Sequence, residues 1–308
     1  MNKLWMALAL TAAAFVSSAA HAVEVNFQPV APGVYAHVGE TEGRTYDNEA
    51  LNANIGLVVT PYGALLIDPG ASFQSARQIA EAAKKVTPQP IKWVINTGGQ
   101  DHRWLGNGYF KSQGAEIIAH ADAEADMKAR AQEHLSALKP VLKEKLNGTE
   151  PIYPTRWLQG PENKLAFGGV TIEVKHRHGG HTPGDSLVWL PQSGVMFTGD
   201  VVYVDRTLGL HPASRTKTWL ESFEMIDQIQ PMIIVPGHGK VTDLATARKD
   251  TRDLLLALRQ QMGQAVAQGT DLNTAVKGFD AAPFKHLQHA DVWLPQLANL
   301  TYLEMERE

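Results

Sequence analysis

Four short apolar runs in this chain stop abruptly at glycine, aspartate or histidine, and this punctuation limits the fold more than any other feature. They are "ALLIDPG" (64–70), "IKWVINTGG" (91–99), "VMFTGD" (195–200) and "IIVPGHG" (233–239). Runs this short and this rich in aliphatic residues have the length of buried strands rather than helices. Segments of helical spacing follow or intervene at 74–86, 121–146, 214–230 and 243–268. Strands followed by helices, twice over, predict an α/β chain made of two sheet-plus-helix halves packed face to face.

Further strands are expected in "GVYAHVG", "NIGLVV", "AEIIAH", "NKLAFGGVTIEVKHR" and "SLVWLP", with a hairpin turn at Pro61-Tyr62-Gly63. "WLPQLANLTYLEMERE" reads as a closing helix docked on the body. No Pro, Ser or Gly linker separates domains, so one domain is expected over 23–308, with a helical extension over about 243–308. The stretch 143–163 connects the halves and is a candidate lid; 43–54 is a candidate mobile loop over the cleft.

Composition narrows the chemistry. With 308 residues, 44% hydrophobic and 19% charged, the chain can bury a sizeable core. A net charge of -4 gives no footprint for nucleic acid or an anionic membrane. There are 12 histidines and no cysteine, so a transition-metal site must be built from imidazole and carboxylate. At the N-terminus Lys3, the apolar run "LWMALALTAAAFV" and "AHA" at 20–22 predict a cleavable signal peptide over 1–22. The run is short for a membrane span, so a periplasmic or secreted protein without an anchor is expected.

Ligand-type residues gather in loops at strand ends: His176, His178 and His181 in "HRHGGHTPGDS", Asp200 after "VMFTG", His238 in "PGHG", and Asp101-His102. Loops along one sheet edge are placed to converge. Other histidines have plainer readings. His120 is expected to cap a helix, His134 to be solvated and His37 to lie in a strand. His286 and His289 have helical spacing but lack a carboxylate pattern. His211 is placed to reach a substrate. Trp104 and Tyr109 read as packing residues.

The order "GLVVTPYGALLIDPG", "NT…DH…GN", "GGHTPGDSLVWLP", "VMFTGDVV" and "IIVPGHG" resembles the metallo-β-lactamase superfamily over about residues 30–240. The tail is similar to that of exported members linked with quinoprotein systems. The resemblance implies a four-layer αββα sandwich with a metal site at one edge, between the sheets. It implies His181 as a ligand of the first metal, Asp200 as the bridging carboxylate and His238 as a ligand of the second. Asp68 would support the site without binding metal.

One segment departs from the family pattern HxHxDH. An ungapped match puts Gly98 and Gln100 at the first two histidines, His102 at the aspartate and Arg103 at the last histidine. A one-residue shift restores Asp101-His102 as the Asp-His pair. In both registers the two histidines of the first metal are absent. The second position keeps Asp200, His238 and either Asp101 or His102, enough for one zinc, or an iron ion. Gln100 or His178 would have to swing in to complete the first. Arg103 would repel a metal if it faced the site, or clamp an anionic substrate group. The expected activity is hydrolysis of a small-molecule ester, thioester, lactone or lactam, with Asp101 or Asp200 orienting water and Arg103 stabilising an oxyanion. The alternative is a non-catalytic binding protein, with a quinoprotein as its possible partner.

Overall fold

The computed structural model describes residues 24–308; the expected signal peptide at 1–22 lies outside them. The first sheet has seven strands in chain order: β1 (Gln28–Ala31), β2 (Val34–His37), β3 (Ile55–Thr60), β4 (Gly63–Ile67), β5 (Ile91–Ile95), β6 (Glu116–His120) and β7 (Arg156–Leu158). β1 to β4 pair antiparallel, and β4 to β7 run parallel. The second sheet has β8 (Glu162–Phe167), β9 (Val170–His176), β10 (Ser186–Leu190), β11 (Val195–Phe197) and β12 (Ile233–Val235). Here β8 to β11 are antiparallel and β12 lies parallel to β11.

Alternation along the strands builds the layers. Leu65, Ile67, Ile95 and Ile118 face the second sheet and meet Val174, Val188, Phe197 and Val235. Their neighbours Leu66, Val94 and Ile117 point the other way, onto α1 (Phe73–Val86) and α2 (Asn107–Ser112). A period of two thus supplies both faces of a doubly covered sheet. On α1, Ser72 accepts the Ser75 backbone N–H and the Ser75 hydroxyl returns the contact, while Lys84 and Lys85 close the last turn. Helix α3 (Ala123–Leu142) lays Met127, Ala131 and Leu138 against Trp104.

The outer face of the second sheet is covered by α4 (Thr216–Ile229) and by the C-terminal helices. These are α5 (Leu244–Ala247), α6 (Asp253–Ala267), α7 (Leu272–Lys277) and α8 (Ala290–Met305), with one π-helical turn at Arg248–Arg252. Leu254, Leu258, Leu294 and Leu297 share one cluster with Trp219 and Phe223 of α4. The expected helix over 243–268 is therefore interrupted, and the tail is a full layer of the body.

Parallel pairing brings the carboxyl ends of β4 and β5 to one edge, and those of β11 and β12 to the same edge of the facing sheet. Asp68, Thr97, Asp200 and His238 follow those four ends, so the topology assembles the site.

Candidate metal centre

Asp200 is the hub. It sits in a one-turn 3-10 helix after β11 and is buried. His102 Nε2 lies 3.2 Å from its Oδ2, and His238 Nε2 lies 3.2 Å from its Oδ1. His181 Nδ1 is 3.6 Å from Oδ2 and has no hydrogen-bond partner. Of the three residues whose register the sequence leaves open, it is His102 that faces Asp200 from the cleft side.

Asp101 does not join them. Its carboxylate pairs with Arg44 and accepts the His102 backbone N–H at 2.7 Å, so it is turned towards the 43–54 loop. Arg44 drives its carboxyl below the ordinary aspartate range despite complete burial. His102 Nδ1 lies 3.1 Å from Arg44 Nη2 and 3.2 Å from Asp101 Oδ1, so the Arg44–Asp101 pair holds that ring instead of meeting Asp200.

Arg103 is also not where an oxyanion clamp would be. It lies fully buried beneath Asp200 and donates to five acceptors: Asp200 Oδ1 at 2.6 Å and Oδ2 at 3.2 Å, Asp68 Oδ2 at 2.8 Å, and the carbonyls of Asn54 and Gly237. A Cβ on Gly237 would come within 2.6 Å of its guanidinium, so only glycine leaves room. The cation lies beneath Asp200, between two acidic side chains, and does not face the cleft, so the direct repulsion of a metal expected from Arg103 is blunted. Asp68, at φ +65°, is held in that uncommon backbone conformation by the Thr97 N–H and hydroxyl, both 2.8 Å from its oxygens.

His102, Asp200 and His238 present three ligand atoms within 4.8 Å of one another. The protonation of the set suits a cation. Arg103 and His102 hold the Asp200 carboxyl well below its usual range against its burial, and burial drops His238 to about 3. His238 Nδ1 donates to the Asn52 carbonyl at 2.8 Å, which leaves Nε2 as a bare lone pair facing a carboxylate oxygen. Two lone pairs facing each other at that distance call for a cation between them.

His181 belongs to no such group among the described residues, and the 98–100 segment brings no ligand to it. A Cβ on Gly98 would collide with Asp185 Oδ1, and one on Gly99 with Asp126 Oδ2. Gln100 has turned to Asp101 and Arg130. His178 is exposed. Burial lifts the Asp185 carboxyl to about 8, and it accepts the Thr182 backbone N–H and hydroxyl.

A second group, His120, Asp122 and His176, has ligand atoms of the right types. Its imidazoles stack face to face, 3.7 Å apart and 20° from parallel, so their in-plane lone pairs cannot meet on one ion. His120 instead accepts the Asp122 N–H and contacts the Gly160 carbonyl. His134, expected to be solvated, is buried near Trp104, and burial lowers it to about 4. His286 contacts Asp250 at 2.8 Å, and His289 faces Glu42.

The cleft over the centre is about 280 Å³, and besides His102, His181 and His238 it is lined by Arg44, Tyr203, Arg206, His211 and Trp293. Residues 48–54 of the 43–54 loop are framework: they are buried, and Asn54 donates to the carbonyls of Pro236 and Gly239, while 43–47 stay exposed or half-buried. The 143–163 connection is tied to that loop through Tyr46–Glu144 and Lys145–Glu49 contacts. Sequence reasoning passed over Arg44, Tyr203, Arg206 and Trp293, which carry no ligand pattern. Only "VYVDR" immediately after Asp200 hinted at the middle pair.

The model of the metallo-β-lactamase superfamily matches residues 48–238, well over half of the chain. The chain belongs to the metallo-β-lactamase superfamily. It is 28% identical over 208 residues to a metallo-β-lactamase type 2 of Bacillus sp. (strain 170), spanning 66% of this chain and 73% of that protein. A metallo-β-lactamase type 2 of Elizabethkingia meningoseptica is 23% identical, over 77% and 88% of the two chains. Two solved structures share the fold. A metallo-β-lactamase from Pontibacter korlensis superposes with a TM-score of 0.58 at 22% identity, over 72% of this chain and 95% of that one. The stereoselective inverting sec-alkylsulfatase Pisa1 from Pseudomonas sp. reaches 0.73 at 15% identity, over 90% of this chain and 50% of that one.

Proposed function

We propose that this metallo-β-lactamase superfamily member is a hydrolase working with one metal ion, held by His102, Asp200 and His238. The observation that carries the reading is the His238 Nε2 lone pair set 3.2 Å from an ionised Asp200 oxygen, with His102 on the other oxygen. Three protein donors and an open side towards the cleft are what a catalytic zinc requires, and iron would accept the same donors. A metal bound there supplies Lewis acidity and makes hydroxide available near neutral pH. Around it, Asn52 fixes the His238 tautomer, Asp101 orients His102 and Arg103 fixes Asp200. Ester, thioester, lactone and lactam bonds are the proposed substrates.

Purified protein supplied with zinc is expected to retain about one ion per chain by elemental analysis. The His238→Ala variant is expected to retain none and to lose hydrolysis of a panel of those four bond types. No metal retained by the wild-type chain would sink the reading. The bidentate hold of Arg103 on Asp200 favours a second reading, a binding protein whose partner would be a quinoprotein. It would show metal-independent ligand binding and no turnover. Export is proposed from the first 22 residues alone; N-terminal sequencing of periplasmic protein should begin near Val23, and an intact Met1 there would refute cleavage.

A further inference from the structure

The tautomer of His102 is set by a side chain outside the centre. To hold a metal through Nε2, a neutral imidazole must carry its hydrogen on Nδ1 and find an acceptor there. At Nδ1 the ring meets Arg44 Nη2 at 3.1 Å and Asp101 Oδ1 at 3.2 Å. Arg44 can only donate. Asp101 Oδ1 is already taken by three donors: Arg44 Nη2, the His102 backbone N–H at 2.7 Å and Gln100 Nε2 at 3.2 Å. No lone pair is left on that oxygen for an Nδ1 hydrogen, so Nδ1 accepts from Arg44 and the hydrogen sits on Nε2. There it donates to Asp200 Oδ2, 3.2 Å away.

The backbone that carries Arg44 is fixed. The buried Asn48 donates to the Gly43 carbonyl at 2.8 Å and accepts the Thr45 N–H at 2.9 Å, which grips the chain on both sides of the arginine. Further out, Tyr46 meets Glu144, its carbonyl accepts from Lys145 Nζ at 2.9 Å, and Glu42 meets Gln288. The guanidinium itself is held less firmly. Its Nε has no partner, its side chain is 28% exposed, and Nη2 carries the contacts to both Asp101 and His102. The side chain can therefore swing off both acceptors while its backbone stays.

We propose that Arg44 controls metal loading of the centre: it blocks His102 at Nδ1, and its withdrawal moves the hydrogen to Nδ1, where Asp101 accepts it, and frees Nε2 to ligate. The imidazole stays neutral throughout. The proton leaves Nε2 for solvent, and one from solvent is taken up at Nδ1. A single residue thus obstructs both the nitrogen and its acceptor, and its fixed charge also opposes a cation close by. Arg44 lies before the family match, which begins at residue 48, so the matched pattern does not supply this contact. What Arg44 releases rests on the single-metal reading of the centre; the tautomer itself is measured without metal or turnover.

Nitrogen NMR of the histidine-labelled, chelator-treated chain reads the tautomer. Wild type is expected to show His102 with its hydrogen on Nε2, and Arg44→Met to show it on Nδ1. Zinc affinity is then measured by competition with a chromophoric chelator. Removing a residue that merely supported the ligand would weaken zinc by roughly 10–100-fold. Arg44→Met is instead expected to bind zinc about tenfold more tightly than wild type, with Arg44→Lys in between, and Asp101→Ala added to Arg44→Met should cancel the gain. If Arg44→Met does not fold, the wild-type tautomer and Arg44→Lys decide. Zinc retained by Arg44→Met but not by wild type would support the proposal even as the hydrolase reading of wild type fails. Equal binding by both, or a wild-type His102 with its hydrogen on Nδ1, would overturn the proposal and leave that reading standing.

Discussion

Arg103→Met is expected to lower folding stability by about 3–5 kcal/mol, the usual cost of removing one partner from a buried ion cluster. Two carboxylates, Asp68 and Asp200, and two carbonyls lose their donor at once. At about 2–4 °C per kcal/mol for a chain of this size, the midpoint should fall by roughly 10 °C. Arg103→Lys keeps the charge but cannot span five acceptors, and should recover only part of the loss. The pH dependence carries the sign. In the wild type, the Asp200 carboxyl is held well below its unfolded value. Its contribution is therefore complete above about pH 4, and is lost as pH falls further through the folded value. In Arg103→Met, burial without a cation raises Asp200 and lifts Asp68, already raised by burial in the wild type, further, so both groups then favour acid and their contribution weakens as pH rises. The gap between the two chains should close on acidification from pH 7 towards 4, measured by denaturant unfolding. A gap that widens in acid, or a variant as stable as wild type at pH 7, would refute this account.

Much of the fold was legible because its signals are local. "ALLID" and "IKWVIN" announce buried strands by composition, and the turn at Pro61–Gly63 announces the hairpin between β3 and β4. The three-residue strand β7 was missed, because Arg156–Leu158 joins the sheet only through pairing with β6, a contact 38 residues away. The break in the 243–268 helix is equally silent: no proline or glycine marks the π-helical turn.

The site divided along the same line. His181, Asp200 and His238 were readable from their motifs, since each follows a strand and has glycine beside it. The register of Asp101, His102 and Arg103 was not, because it turns on which side chain the neighbouring loop claims. Arg44 takes Asp101, and Asp68 helps draw Arg103 beneath Asp200. What remains for the cleft is His102. The loss of two histidines also has a three-dimensional side: Asp185 and Asp126 occupy the space where side chains at Gly98 and Gly99 would begin.

A chain ended after Asp243 is expected to give no soluble, cooperatively folded protein, although the family match stops at residue 238. The tail contributes Leu254, Leu255, Leu258, Leu287, Leu294 and Leu297 to the largest apolar cluster, opposite Trp219, Phe223 and Ile226. At about 1.5–3 kcal/mol for each fully buried aliphatic side chain, six leucines are worth roughly 9–18 kcal/mol. That equals or exceeds the 5–15 kcal/mol by which a typical domain is stable. Polar contacts would go with them: the Thr251 hydroxyl accepts the Tyr203 N–H at 2.9 Å, and Glu304 accepts from Thr216 at the start of α4. Tyr203 stacks on His238, so the tail also supports this histidine of the candidate centre from behind. Expression of residues 24–243 beside 24–308 decides the matter. A soluble monomer with a cooperative unfolding transition would show that the tail is dispensable; aggregation, or a dye-binding species without fixed packing, would place the folding boundary at the end of α8.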